Sequence, residues 1–187
     1  MLKRAIDIVC SAAGLLALLP IAVVVAVAVK ATSMGPALYW SDRIGRHGRV
    51  FRMPKFRTML LGTPALATDK LVDPRSRLTP IGGFLRATSL DEIPQLWSIM
   101  CGDMSIVGPR PALFNQHDLI ERRRALGIDV LRPGLTGWAQ VNGRDHASED
   151  RKIELDAEYL SKASFGFDIR IIGLTVWRVL RGDGVSH

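Results

Sequence analysis

Two adjacent carboxylates, Asp91 and Glu92, stand in the run Arg86-Ala87-Thr88-Ser89-Leu90-Asp91-Glu92-Ile93-Pro94-Gln95 and are the residues best placed to do chemistry. A carboxylate in the first turn of a helix is kept ionised by the helix dipole, which suits it to act as a nucleophile or a magnesium ligand. The same helix end can bind a phosphate, and Arg86, one turn upstream if that stretch is helical, would help neutralise it. A purely structural role fits the same residues. Ser89 followed three places later by Glu92 has the form of a capping box, with Ser89 as N-cap. Pro94 cuts across that reading, because as the fifth helical residue it would leave the Leu90 carbonyl without its partner. The chain contains no GxxxxGK[ST], GxGxxG, CxxC or HExxH pattern, so no single phosphate or metal fingerprint decides the matter.

The elements that must hold this pair begin with an apolar N-terminus. Ile8 to Val29 carries no charged side chain and is long enough to cross a bilayer. A signal peptide would use Lys3-Arg4 as its basic end and Ala26-Val27-Ala28 as its cleavage site, but the stretch is long for that role and Asp7 sits near its start. An ordinary spanning helix is the stronger competitor. Pro20 favours a third form, because it removes one N–H and clashes with the preceding turn. The arm before it, Ala5 to Leu19, reaches roughly 22 Å, and the arm after it, Ile21 to Val29, roughly 14 Å, about half the hydrocarbon thickness. Lys3 and Arg4 precede the segment and Lys30 follows it, and positive residues favour the cytoplasmic side. The expectation is a re-entrant helix-break-helix over residues 1–32, bent at Pro20, with a cytoplasmic catalytic domain over 33–187.

Within that domain, Ala37 to Phe56 reads as a β-hairpin turning near Gly45-Arg46-His47-Gly48. Basic residues recur along it at Arg43, Arg46, Arg49, Arg52, Lys55 and Arg57, most of them suited to a solvated face. Residues 62–80 read as a loop, Pro80 to Ala87 and Leu90 to Met100 as helical, and Gly102 to Pro111 as a loop. A charged helix is expected from about Ala112 to Leu126, irregular structure over Arg132 to Arg144, and a helix from Glu149 to Ser161. Asp168 to Leu180 repeats apolar residues at helical spacing, with Arg170, Arg178 and Arg181 alongside. Such a stripe faces a core or lies in a membrane interface. The fold class is α+β and helix-rich, with a small β-hairpin and no wound parallel sheet.

The 187 residues suffice for one domain and an appended element. A net charge of +7 calls for an anionic partner, which nucleic acid, lipid headgroups or phosphorylated small molecules would satisfy. A nucleic-acid platform would interleave its basic residues with aromatics, whereas here two tyrosines and four tryptophans accompany basic residues grouped around acidic and glycine-rich motifs. No nucleic-acid partner is expected, and a membrane-anchored binding module is the alternative from a different functional class. Cys10 and Cys101, the only cysteines, form no disulfide or metal framework. His117 and His146 read as surface residues.

Five strings together resemble one family. They are Lys55-Phe56-Arg57-Thr58-Met59, Ser89-Leu90-Asp91-Glu92, Gly102-Asp103-Met104-Ser105-Ile106-Val107-Gly108-Pro109-Arg110-Pro111, the run Arg132 to Arg144 with PGLTGWAQVNG between, and Gly184-Val185-Ser186. In this order, over nearly the whole chain, they resemble the bacterial sugar transferases, the monotopic phosphoglycosyltransferases. The small PglC-like members are the nearest in form, because the chain begins directly with the Lys3-Arg4-xx-Asp7 start of the membrane helix. One departure is visible: the best-known small members place Ser before the helix-breaking proline, and here the pair is Leu19-Pro20.

The resemblance implies that Asp91 is the nucleophile that attacks the β-phosphate of a UDP-sugar, releases UMP and holds the sugar phosphate covalently. Polyprenyl (undecaprenyl) phosphate then takes the sugar phosphate in the second half of a ping-pong cycle. Glu92 would assist by positioning magnesium or by handling a proton. Mg2+ is implied, with Asp91 among its ligands, because a carboxylate approaches a diphosphate only when that charge is neutralised. Lys55, Arg57, Arg86, Arg110 and Arg144 stand at motif positions suited to phosphates, although two or three of the five are expected to be structural. Gln140 and Asn142 would bond a nucleotide or order their own loop, and Trp138 is expected to pack. The implied location is the bacterial inner membrane, with membrane lipids as partners and a homodimer left open. Acetamido sugars are the expectation for small members, and hexose-1-phosphate transfer from UDP-glucose or UDP-galactose is the alternative.

Overall fold

A computed structural model describes residues 2–66, 71–142 and 148–181. Its longest element is α1, Leu2–Thr32, 31 residues that would extend about 46 Å if straight. It is long and apolar enough to cross a membrane. Helix α1 continues through Pro20, so the break expected there from the sequence is not seen as an interruption of the helix. A single proline costs one backbone bond, and the residues on both sides keep packing against the domain.

That packing follows one stripe. Arg4, Asp7, Ser11, Gly14, Leu18, Ala22, Val25 and Val29, three or four apart, form a continuous stripe among the buried or half-buried positions of α1. The opposite face leaves Val9, Leu16, Leu19, Val24 and Val27 more than half exposed. Near the N-terminus, the Arg4 guanidinium donates to the Ile99 and Met100 carbonyls at 2.5 and 2.8 Å. The Asp7 carboxylate accepts from Ser105 Oγ at 3.1 Å and from the Ile106 N–H at 3.0 Å. At the other end, Val25 and Val29 pack with Phe56, Leu85 and Ile93. Both ends of the helix are therefore fastened to the same globular body.

The hairpin expected between residues 37 and 56 is present. Strand β1, Leu38–Ile44, pairs antiparallel with β2, Val50–Phe56, with Tyr39 opposite Lys55 and Arg43 opposite Phe51. His47 and Gly48 in its turn have positive φ. Phe51 and Met53 on its inner face join Ile99 and Met104 in a second core cluster. Short helices follow: α2, Gly82–Ala87, and α3, Gln95–Cys101.

The expected loop over residues 102–111 contains a three-residue strand, β3, Ser105–Val107. It pairs parallel with β4, Gly134–Thr136, inside the stretch expected to be irregular. A parallel pair is therefore present after all, although only as two short strands. Helix α4 is shorter than expected, His117–Ala125, and α5 is Trp138–Asn142. Ser148 caps α6, Glu149–Lys162, by accepting from the Arg151 N–H. Helix α7 is Phe165–Arg181. Its Ile171 packs with Val107, Val141 and Tyr159, while Ile169, Val176 and Trp177 stay exposed. Among the described residues the architecture is helix-rich α+β, with a long apolar N-terminal helix and two small sheets.

Candidate active site

Asp91 and Glu92 lie on a single 3-10 turn, Leu90–Glu92, wedged between α2 and α3. The capping box expected there is absent. Ser89 adopts the left-handed conformation, φ 57°, and its side chain caps nothing. A non-glycine residue held at positive φ is strained and persists only where its surroundings fix it. Pro94 resolves the conflict noted in the sequence: it occupies the N-cap position of α3, where its missing N–H is harmless. The dyad is thus presented on a tight, separately folded turn.

The turn buries Asp91, which is 6% exposed. Lys55, from the end of β2, reaches Glu92 Oε1 at 2.7 Å and stands 3.9 Å from Asp91 Oδ2. Arg110, from the loop after β3, reaches the same Glu92 oxygen at 3.3 Å. The two carboxylates are therefore treated unequally. Burial pushes the Asp91 carboxyl up to about 6, and the Glu92 charge adds to this, against the opposing pull of Lys55, Arg86 and Arg110. Burial acts on Glu92 too, but Lys55 and Arg110 outweigh it and hold that carboxyl well below its usual range. Glu92 stays charged and engaged, while Asp91 is a buried carboxylate short of a close partner.

The other residues singled out from the sequence separate into two groups. Arg86 shares the field of Asp91, and its Nε donates to Thr58 Oγ1 at 3.0 Å. Arg57 is 4% exposed and turned to the backbone beyond α1, donating to the Pro36 and Ser33 carbonyls at 2.8 and 3.0 Å. Gln140 donates to the Leu135 carbonyl at 3.1 Å, and Asn142 to the Trp138 carbonyl at 2.8 Å. Gln140 thus ties α5 to β4 and Asn142 bonds within its own helix, and neither joins the ion pairs of the dyad. Trp138 packs on Phe167, ring centroids 4.9 Å apart, and donates to Glu158 at 2.9 Å. Arg144, His146 and the terminal Gly184-Val185-Ser186 lie outside the described residues. His117 is exposed, and Cys10 and Cys101 are both free and exposed.

From the sequence, Arg43 is named only among the basic residues of the hairpin, most of them suited to a solvated face. Its guanidinium bonds Ser41 Oγ at 2.9 Å and the Pro111 carbonyl at 3.1 Å, which braces the loop carrying Arg110. Burial and the nearby Arg110 charge lower its pKa to about 10. The alternation of the hairpin was the available signal, because Arg43, Ser41 and Tyr39 oppose Phe51, Met53 and Lys55 on one face. Three glycines fix the floor of that loop. A Cβ on Gly108, Gly134 or Gly137 would overlap the backbone of the β3–β4 pair or its flanks.

Among the described residues, no group of three or more acidic, histidine or cysteine side chains is arranged to hold a metal on its own. Magnesium commonly binds through one or two carboxylates and completes its shell with phosphate oxygens and water. The under-compensated Asp91 carboxylate fits that habit, provided a diphosphate brings the remaining oxygens.

A family profile described as bacterial sugar transferase matches residues 1–182. The chain belongs to the bacterial sugar transferase family. It is 38% identical over its whole length to an uncharacterized sugar transferase of Bacillus subtilis, 91% of which is covered. It is 39% identical, over 95% of its length, to the UDP-glucose:undecaprenyl-phosphate glucose-1-phosphate transferase of Escherichia coli. Against the undecaprenyl-phosphate galactose phosphotransferase of Salmonella typhimurium the identity is 36% over 98% of the chain. The chain spans about two-fifths of the length of these last two relatives, 40% and 41%.

Proposed function

We propose that this member of the family transfers a sugar 1-phosphate from a UDP-sugar to polyprenyl (undecaprenyl) phosphate, with Asp91 as the covalent nucleophile. The observation that carries the proposal is the unequal pair: a buried Asp91 with a raised pKa, beside a Glu92 already neutralised by Lys55 and Arg110. A raised pKa makes a carboxylate a stronger nucleophile once ionised, and low local polarity strengthens its attraction to phosphorus.

In the first step an Asp91 oxygen attacks the β-phosphorus of the UDP-sugar. The bond from that phosphorus to the bridging oxygen breaks, and UMP leaves with the electron pair. In the second step an oxygen of polyprenyl phosphate attacks the same phosphorus. The bond to Asp91 breaks, giving a polyprenyl diphosphate sugar and the free carboxylate. Lys55, Arg86 and Arg110 offset the charge that the diphosphate brings to Asp91. Glu92 holds Lys55 and Arg110 in place, because its low pKa leaves it no proton to give. Mg2+, when bound with the diphosphate, would further neutralise the phosphoryl oxygens. Arg57, Gln140 and Asn142 order the backbone around the site.

The named relatives act on UDP-glucose and on galactose phosphate, so a hexose is the better-supported sugar over the acetamido expectation. The same names support undecaprenyl phosphate as acceptor, and the long apolar α1 supports a membrane as the location. A helix apolar on its outer face and fastened at both ends to one domain supports membrane insertion from a single, cytoplasmic side. Residues 33–187 form the catalytic domain in this reading.

The test incubates detergent-purified protein with Mg2+, undecaprenyl phosphate and a panel of UDP-sugars, measuring UMP beside Asp91→Asn. UMP release for one sugar, dependent on the lipid and absent in the variant, is the expected result. Turnover that persists in Asp91→Asn removes the covalent assignment. A basic binding module would release no UMP with any sugar and would bind equally well after Asp91→Asn.

A further inference from the structure

Where α1 ends, Ala26, Val27, Lys30 and Ala31 face Ala37 across an open groove of about 440 Å3. Four of these five side chains are hydrocarbon, and the fifth supplies an ammonium group. Lys30 is exposed, and among the described residues no hydrogen bond or ion pair engages it. No charged residue lies between it and Asp7, so it is the first cation met along α1 after 22 uncharged residues, 8–29.

The groove backs onto the core that also supports the dyad. Ala26 and Ala37 pack against Val25, Val29, Phe56, Leu85 and Ile93. Phe56, Leu85 and Ile93 are the chain neighbours of Lys55, Arg86 and Glu92. The Ala37 carbonyl accepts from the Arg57 N–H at 2.9 Å, and Tyr39, two residues further along, opposes Lys55. Two residues of strand cover only about 7 Å. One apolar core therefore backs both the groove and the catalytic turn.

We infer that this groove docks the lipid acceptor, with the isoprenoid chain against the alanine and valine walls and Lys30 pairing with its phosphate before transfer at Asp91. The inference rests on the transferase reading above. Charge complementarity selects the occupant: a single cation on a hydrocarbon groove matches a single-chain monophosphate.

The experiment uses the full chain in zwitterionic nanodiscs, with undecaprenyl phosphate as the only anionic lipid. Lys30→Gln removes the cation and Ala31→Trp fills the groove. Both positions are exposed, so neither change disturbs the core. The KM for undecaprenyl phosphate is expected to rise about tenfold in each variant, equivalent to ~1.4 kcal/mol. Lys30→Arg is expected to stay near wild type. The KM for the UDP-sugar, and the lipid-free exchange of labelled UMP into UDP-sugar, should not change. A lipid KM that stays within about twofold of wild type in both variants overturns the groove while normal exchange leaves the transferase intact. So does a lipid KM that shifts only after acidic phospholipid is added, which would make Lys30 a general membrane contact. A fall in exchange would also overturn it, by placing the effect on Asp91. If wild-type protein exchanges no UMP, the transferase reading fails and the groove assignment falls with it.

Discussion

Two polar clusters built around buried aspartates in this molecule use the same residue types to opposite ends. Beside α1, Lys3 donates to Asp168 Oδ2 at 2.5 Å, to Tyr159 Oη at 3.0 Å and to the Val107 carbonyl at 3.0 Å. Tyr159 in turn donates to Asp168 Oδ1 at 2.7 Å, and nearby Asp7 holds Ser105 and Ile106. Each carboxylate there has close donors, and burial together with the neighbouring Asp168 keeps the Tyr159 phenol protonated. At the Asp91–Glu92 turn the cations converge on Glu92, and Asp91 is left with a contact of 3.9 Å. Complete pairing fastens a helix to a domain. In the proposed mechanism incomplete pairing stores reactivity, because a buried charge without close partners would gain when phosphate and cation arrive.

The largest test of this contrast is Asp91→Asn. UMP release should fall roughly 10³-fold or more, as for loss of a nucleophile. The same change should stabilise the fold by roughly 2 kcal/mol at neutral pH, measured by thermal or denaturant melting, since a shift from 3.8 to about 6 penalises the charged form. The sign follows from linkage. With the folded pKa raised, the stabilising contribution of the protonated group is full below about 4 and is lost as pH rises through about 6. The gain from Asp91→Asn should therefore vanish below about pH 4.

Lys55→Gln comes next. Removing one phosphate-facing cation should cost about 10²-fold in turnover. Wild-type UMP/UDP-sugar exchange should decline below about pH 6 as Asp91 protonates, about tenfold per unit. In Lys55→Gln that acid limb should move upward, because Lys55 favours the ionised form. An unmoved limb would assign the titration to another group.

The paired cluster should respond through stability. Asp7→Ala leaves Ser105 Oγ and the Ile106 N–H without their acceptor and should cost about 2–3 kcal/mol in denaturant unfolding. Turnover per folded molecule should change little. A large loss of activity without loss of stability would erase the distinction between the clusters. The smallest effect is expected at Asn142→Ala, within about twofold in turnover, because an exposed side chain loses one bond to its own helix.

The parts legible in the sequence were those with strong local signals. The hairpin announced itself through Gly45 and Gly48 between strand-forming runs, and the helix read over Glu149 to Ser161 is α6, whose Ser148 cap the structure adds. The Asp91-Glu92 pair was visible as residue types, but its inequality was not, because it depends on Lys55 and Arg110 arriving from distant segments. Ser89 misled because its side chain matched a cap while its backbone adopts the left-handed region. Strands β3 and β4 are three residues each, too short for any period to register. The docking stripe of α1 escaped notice because the run is apolar all round. Only Asp7, Ser11, Gly14 and Ala22 mark it, and they do so by spacing rather than by hydrophobicity.

The crowding around Gly108, Gly134 and Gly137 has a consequence for how this enzyme can diversify. In a saturation library those three positions should tolerate only glycine, since any side chain would collide with main chain that cannot step aside. Arg110 would then inherit a fixed location from them in every functional variant. A change in sugar preference would have to be written elsewhere along the chain, leaving the phosphate-facing ledge unaltered while the sugar it serves is exchanged.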